Sequence, residues 1–138
     1  MNTLSKAVIA TTLLASSGTV AAEMCEEAGY TATLGSVHLL QNPDSTVHFN
    51  GINPGLGTEC DRWQAGVYYN SIKKVTVYVG RIAPANQYFG VKYGLATGYD
   101  YPIVPYVAGY VRPTEHTELT VIPKTRYTPL VIALSLRW

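Results

Sequence analysis

Three histidines, His38, His48 and His116, and four serines, Ser36, Ser45, Ser71 and Ser135, are the obvious residues after position 22 suited to acid–base or nucleophilic chemistry. They show no metal spacing: there is no His-Glu-x-x-His, no paired-cysteine ligand set and no acidic calcium loop. No metal and no cofactor is implied. No Gly-x-Ser-x-Gly elbow is present either. What remains is a serine activated by a distant histidine that the fold brings to it. His38 closes the extended run GSVHLL, just before a polar loop, and Ser71 ends the run GVYYNS. Both therefore fall at strand ends, which can share one rim. On residue types alone, an ordinary hydrogen-bonded rim outweighs catalysis. Glu59 and Asp61 read as solvated or lumen-paired carboxylates, Lys92 and Arg137 as a structural pair lining an interior, and His116, in RPTEHTE, as exposed.

The elements that must position these residues are strands. From Tyr88 to Tyr99 one face reads Phe89, Val91, Tyr93, Leu95, Thr97, Tyr99, and the other Tyr88, Gly90, Lys92, Gly94, Ala96, Gly98. Period two is the mark of a strand. A soluble sandwich would oppose its apolar face with a richly polar one, whereas here the second face is nearly all small. Glycine inside a strand marks the close approach of something else. A narrow barrel explains both faces, with bulky residues toward lipid and small ones leaving a bore or slot inside. The last segment alternates in the same way, Leu130, Ile132, Leu134, Leu136, Trp138 against Val131, Ala133, Ser135, Arg137. Further strands are expected at Tyr30–Leu40, Gly57–Asn70, Val75–Ile82, Ile103–Arg112 and Glu118–Ile122. Asn53-Pro54-Gly55, Lys73-Lys74, Pro84-Ala85-Asn86 and Arg112-Pro113-Thr114 read as turns or strand ends.

Composition fits this reading. Residues 1–22 form a secretory signal: Lys6, then the uncharged AVIATTLLASSGTVAA, then a small-residue exit at Ala22. The stretch is short of the roughly 20 residues a spanning helix needs. The remaining 138 − 22 = 116 residues form one domain, 23–138. Eight strands of about ten residues, tilted across a bilayer, would use nearly all of it. Export gives Cys25 and Cys60 a compartment where a disulfide can form, with two buried thiols as the alternative. A lipid anchor on Cys25 is disfavoured by the preceding Ala-Glu-Met. A net charge of +1 points away from nucleic acid. Eleven tyrosines in a chain with 14% charged residues suit a water–lipid boundary.

Several short motifs occur in a telling order: His38 in an early strand, then NGINPGLG, then Tyr69-Asn70-Ser71, FGVKYGLATGY, YPIVPYVAGY, LTVIP, and a last strand ending in an aromatic. From about His38 to Trp138 this order resembles the lipid A palmitoyltransferase (PagP-type) outer-membrane acyltransferases. The resemblance implies an eight-stranded barrel with an internal hydrocarbon pocket, moving an acyl chain from phospholipid to lipid A. The family's catalytic histidine and Asp-Ser pair fall on His38, Asn70 and Ser71. Pro123 matches a family proline that opens a lateral lipid gate. The pocket-floor glycine falls on Ile82, so a bulkier floor would favour a shorter chain. Gly90 and Gly94 line the slot in which that chain would lie. His38 would act as general base toward a hydroxyl, with charge developing on an ester carbonyl.

This chain departs from the family in two ways. Asn70 cannot supply a carboxylate's charge, so if that carboxylate is essential, catalysis is impaired or absent, or Glu59 or Asp61 substitutes. His38 also comes only 38 − 22 = 16 residues into the mature chain, leaving little room for the family's leading helix. His48, in VHFN, is similar to the His-x-Ser of lipid A deacylases, but Asn50 replaces the serine. The sequence is thus read as an all-β, eight-stranded antiparallel outer-membrane barrel after a cleaved signal peptide. As a self-closed barrel it would be a monomer, acting on phospholipid and lipid A. Its rivals are a non-enzymatic outer-membrane barrel and a soluble periplasmic β-protein that binds an apolar ligand.

Overall fold

The computed structural model describes residues 25–41, 43–44, 46, 48–125 and 129–138. The signal segment lies outside the described residues. The strands are β1 (Ala28–Leu39), β2 (Ile52–Cys60), β3 (Trp63–Tyr69), β4 (Val75–Pro84), β5 (Phe89–Ala96), β6 (Val104–Thr114), β7 (Thr117–Ile122) and β8 (Leu130–Arg137). Each pairs antiparallel with its sequence neighbour, and β1 closes on β8, giving an eight-stranded barrel with no free edge.

Gly57–Asn70, read from sequence as one strand, is a hairpin. β2 and β3 are joined by Asp61-Arg62, which adopt φ of 48° and 74°. Positive φ at both central positions is the two-residue hairpin geometry whose twist matches the strands. Asp tolerates it well, and neither residue is the glycine that would have announced it. Asn53-Pro54-Gly55 is likewise not a turn but lies inside β2. Pro54 has no N–H for a ladder, and it sits where the β1–β2 register slips, from Thr33↔Gly55 to Gly35↔Ile52. Arg112-Pro113-Thr114 ends β6 rather than replacing it, beside an irregularity in the pairing with β7.

The alternation puts apolar residues outside. Along β4, Val75, Val77 and Val79 are exposed while Thr76 and Gly80 are buried. Val91, Tyr93 and Leu95 on β5, and Leu134 and Leu136 on β8, continue that surface. The buried set is largely polar: Thr31, Asn53, Gln64, Asn70, Thr76, Lys92, Glu118 and Ser135.

The interior is not the bore expected from the small face of β5. Gly55, Gly66, Gly94 and Gly90 stand directly across from Tyr68, Tyr78, Tyr106 and Tyr110 on the neighbouring strands. A methyl group at Gly66 would come within 2.5 Å of the Tyr78 hydroxyl, and one at Gly90 within 2.8 Å of the Tyr110 hydroxyl. Gly55, Gly66 and Gly90 each omit a side chain that would strike the facing tyrosine, and room for the Tyr106 hydroxyl comes from Gly80, where a methyl would lie 2.5 Å from it. The rings then meet one another, Tyr68 with Tyr78 at 5.9 Å and Tyr78 with Tyr106 at 6.5 Å between centroids. Aromatic pairs at such spacing add to the packing.

A bridge between Cys25 and Cys60 ties the N-terminal segment to the end of β2. Asp61 reinforces it by accepting the amides of Glu26 and Glu27, at 3.3 and 2.8 Å.

Glycine–tyrosine pairing carries a stability consequence. Gly66→Ala is expected to cost about 1–3 kcal/mol by overpacking, read from urea unfolding in detergent micelles. In a double-mutant cycle with Tyr78→Ala, the two should couple by roughly 0.5 kcal/mol or more. Additive losses would contradict the pairing.

Candidate functional site

The barrel has two unlike ends. One, the terminal rim, carries the N-terminal segment, the C-terminus and the short turns 61–62, 85–88 and 115–116. The other, the loop rim, carries residues 40–41, 48–51, 70–74, 97–103 and 123–125.

His38 reaches the loop rim near the end of β1. Thr31 and Thr33 share one face of β1, and the register slips between Thr33 and Gly35, adding one residue against β8. That β-bulge reverses the alternation. Ser36 and His38 therefore fall on the inward side, and Val37 and Leu39 are exposed. The His38 ring stacks on Phe49, with centroids 4.5 Å apart. The next residue, Asn50, donates its amide to the Ser71 carbonyl at 2.8 Å. His38 and Ser71 thus belong to one rim and are linked through Phe49-Asn50. Among the described residues no hydrogen bond joins the imidazole to the Ser71 hydroxyl.

Asn70, fully buried, has every side-chain hydrogen-bonding position in use. Its amide donates to Thr76 Oγ1 at 3.0 Å and to the Gly98 carbonyl at 2.8 Å. Its carbonyl accepts the amides of Ile72 and Lys74 at 3.0 and 2.9 Å. This network closes the β3–β4 turn, where Lys73 has φ 62°, and fastens it to the β5–β6 loop at Gly98, which has φ +80°. A carboxylate here would lack both donors and would face the Gly98 carbonyl. Position 70 therefore needs an amide, for reasons of folding.

Neither proposed carboxylate can take over. Glu59 sits near the terminal rim, where it pairs with Lys92, Arg112 and Arg137 at 3.4, 3.3 and 2.8 Å. Asp61 holds the amides of Glu26 and Glu27. The remaining sequence-derived positions scatter. Pro123 lies on the loop rim, just beyond β7 and exposed. Gly94 is inside the barrel, against Gly80 and opposite Tyr106. Ile82 is buried toward the terminal rim, and Gly90 abuts Tyr110 at that same end.

Sequence reading missed two clusters. At the loop rim, Ser36 donates to the buried Asn53, whose amide donates to the carbonyls of Asn50 and Tyr69 at 3.3 and 3.2 Å. Near the terminal rim, Lys92 and Arg137 do not pair with each other, being like charges. Both bond Glu59, and Lys92 also bonds Glu118, whose other oxygen accepts Arg112 Nε at 3.0 Å. Arg112 was hidden in an apparent turn and Glu118 at a strand start. The alternation Glu118, Thr120, Ile122 was the available clue. Among the described residues no group of His, Cys, Asp and Glu is arranged to hold a metal.

Asn70→Ala is expected to cost about 1–3 kcal/mol for each buried group it strands. Asn70→Asp should also destabilise, despite equal size, because a carboxylate has no N–H to give. Denaturant midpoints test this. An N70D variant as stable as the parent would contradict the structural role. Comparison with known proteins adds no relative: no family model matches the chain, and no curated protein or solved structure matches it.

Proposed function

We propose that the chain spans the bacterial outer membrane as a closed, filled barrel, serving there as a non-enzymatic membrane protein whose working surface is its loop rim. The observation that carries this is the inverted distribution of polarity. Val75, at 62% exposure, heads an apolar belt running through Val77, Val79, Val91, Leu95, Val107, Leu56 and Leu136, while lysine, glutamate and asparagine are inside. Water rarely tolerates so continuous an apolar surface on a monomer. In hydrocarbon it is the required surface, and barrel closure satisfies every strand's backbone.

The rims support the same placement. Trp63, Tyr88, Phe89 and Trp138 are exposed toward the terminal rim, and Trp138 stacks on Tyr30 at 6.3 Å. Arg81 lies 4.8 Å over the Trp63 ring. Aromatic and cationic residues at one level form the girdle that membrane interfaces favour. Short turns on the side of the termini and longer loops on the other follow the usual orientation, termini toward the periplasm. Tyrosine rings and ion pairs occupy the interior, so no water-filled channel is expected.

A second reading, acyl transfer from phospholipid to lipid A, is favoured by one observation. An apolar groove opens on the outer wall beside the register slip, lined by Pro54, Leu56, Val67, Tyr69 and Val75, with Thr33 and Tyr68 at its back. It lies on the strands that lead to His38 and Ser71. In this reading His38 accepts the proton of a lipid A hydroxyl as that oxygen attacks the phospholipid ester. The acyl–oxygen bond breaks, and the lysophospholipid oxygen takes the proton back. Ser71 would orient or polarise the ester. The filled interior and the committed Asn70 count against it.

Only Trp63 and Trp138 fluoresce as tryptophans, which makes one experiment direct. In vesicles with bromine at graded depths, both are expected to be quenched most by shallow bromines. No quenching, with protein soluble without detergent, would overturn the membrane reading. Labelled phospholipid mixed with lipid A should show no transfer. Transfer abolished by His38→Ala and Ser71→Ala would replace the first reading with the second.

A further inference from the structure

The charged cluster inside the barrel is out of balance. Lys92, Arg112 and Arg137 bring three positive charges against two negative ones on Glu59 and Glu118, all on mostly buried side chains. Glu27, Asp61 and Arg62 stand nearby, but they are exposed and screened by solvent. A buried charge without a counterpart is costly. Desolvated donors lack partners at the same place. Among the described residues, the Tyr110 hydroxyl, on a residue only 1% exposed, and Arg137 Nε have no hydrogen-bond acceptor. The Glu118 carboxylate stands 3.8 Å from Arg137 Nε, beyond hydrogen-bond reach.

Tyr110 and Arg137 line the floor of a depression that opens on the terminal rim, walled also by Ile82, Pro84, the cations Arg62 and Arg112 and the carboxylates Glu27, Glu59 and Asp61. Gly90 leaves the hydroxyl its room, since a methyl there would lie 2.8 Å from it. The Arg112 guanidinium and the Lys92 ammonium lie over the Tyr110 ring, at 4.5 and 5.3 Å from its centroid. Their positive field favours negative charge next to the phenol. Two unpaired buried donors and one buried positive charge in excess, beneath a depression open to the rim, define an acceptor of single negative charge.

We propose that this depression binds one small monovalent anion of halide type, held by the Tyr110 hydroxyl and the Arg137 guanidinium. The anion neutralises the cluster and completes the hydrogen bonding of its floor. This site is at the opposite end from His38 and Ser71, and it does not depend on either reading of the function.

The test uses the full mature chain refolded in a non-ionic detergent. Melting is followed in sodium chloride, bromide, gluconate and phosphate at equal ionic strength. Chloride and bromide should raise the midpoint saturably above gluconate, and Tyr110→Phe, which keeps the ring and its packing, should lose most of that rise. Crystals grown in bromide should show an anomalous peak between Tyr110 and Arg137. Equal midpoints in chloride and gluconate would overturn the proposal, as would an unchanged halide effect in Tyr110→Phe. Stabilisation by phosphate alone would overturn the monovalent assignment. Density for water only, with no bromide signal, would show that solvent satisfies the donors.

Discussion

An eight-stranded barrel is too narrow to stay hollow at little cost and too narrow to accept large side chains from every strand, and this constraint governs the rest of the molecule. Glycine opposite tyrosine resolves it. At Gly55/Tyr68, Gly66/Tyr78, Gly94/Tyr106 and Gly90/Tyr110, one strand gives up its side chain and its neighbour supplies a ring. The interior then fills with few residues, and some ring hydroxyls bond locally, as Tyr106 does in accepting from Gln64 Nε2 at 2.8 Å. With the inside polar and full, the apolar residues can only be outside. The apolar exterior and the filled interior are thus one arrangement seen from two sides.

The same geometry separates the ends. Toward the terminal rim the filling becomes ionic, with Glu59 and Glu118 each bonded by more than one cation. Removing either glutamate would strand buried positive charge, which costs far more than an exposed pair contributes. Toward the loop rim the filling becomes neutral amide and hydroxyl, through Asn53, Asn70, Thr76 and Ser36. Those groups bind backbone carbonyls and amides of the loops, so they act as fasteners for segments that carry no ladder of their own.

Much of this architecture was legible in the sequence because period two survives wherever a face is uniform. Residues 88–99 and 130–138 disclosed strands and pointed to a barrel. The β2–β3 hairpin was harder, since Asp61-Arg62 lacks a glycine. A phase slip was present nonetheless: Gly57 and Glu59 are inward at odd positions, but Gln64, Gly66, Tyr68 and Asn70 are inward at even ones. The lumen contents were legible only in part: Glu59, Lys92 and Arg137 read as interior charges, but their partners Arg112 and Glu118 and the packing of the rings did not. Glycines and tyrosines were each conspicuous, but which faces which depends on register between strands, and no single segment encodes that. Asn70 shows the corresponding hazard for sites. Beside Ser71 it suggests a degraded catalytic pair, and only its four hydrogen bonds reveal a turn-closing amide.

The central claim is that the alternating bulky residues face hydrocarbon. It is tested most directly by spin labels placed singly at Val75, Val77, Val79, Val91, Tyr93 and Leu95 in protein reconstituted into vesicles. Collision rates with dissolved oxygen and with a water-soluble nickel chelate are then compared. Oxygen should dominate at the central positions of both strands, with nickel gaining only toward the rims. Nickel access throughout would mean that this surface meets water, and the account of an inside-out barrel would fail.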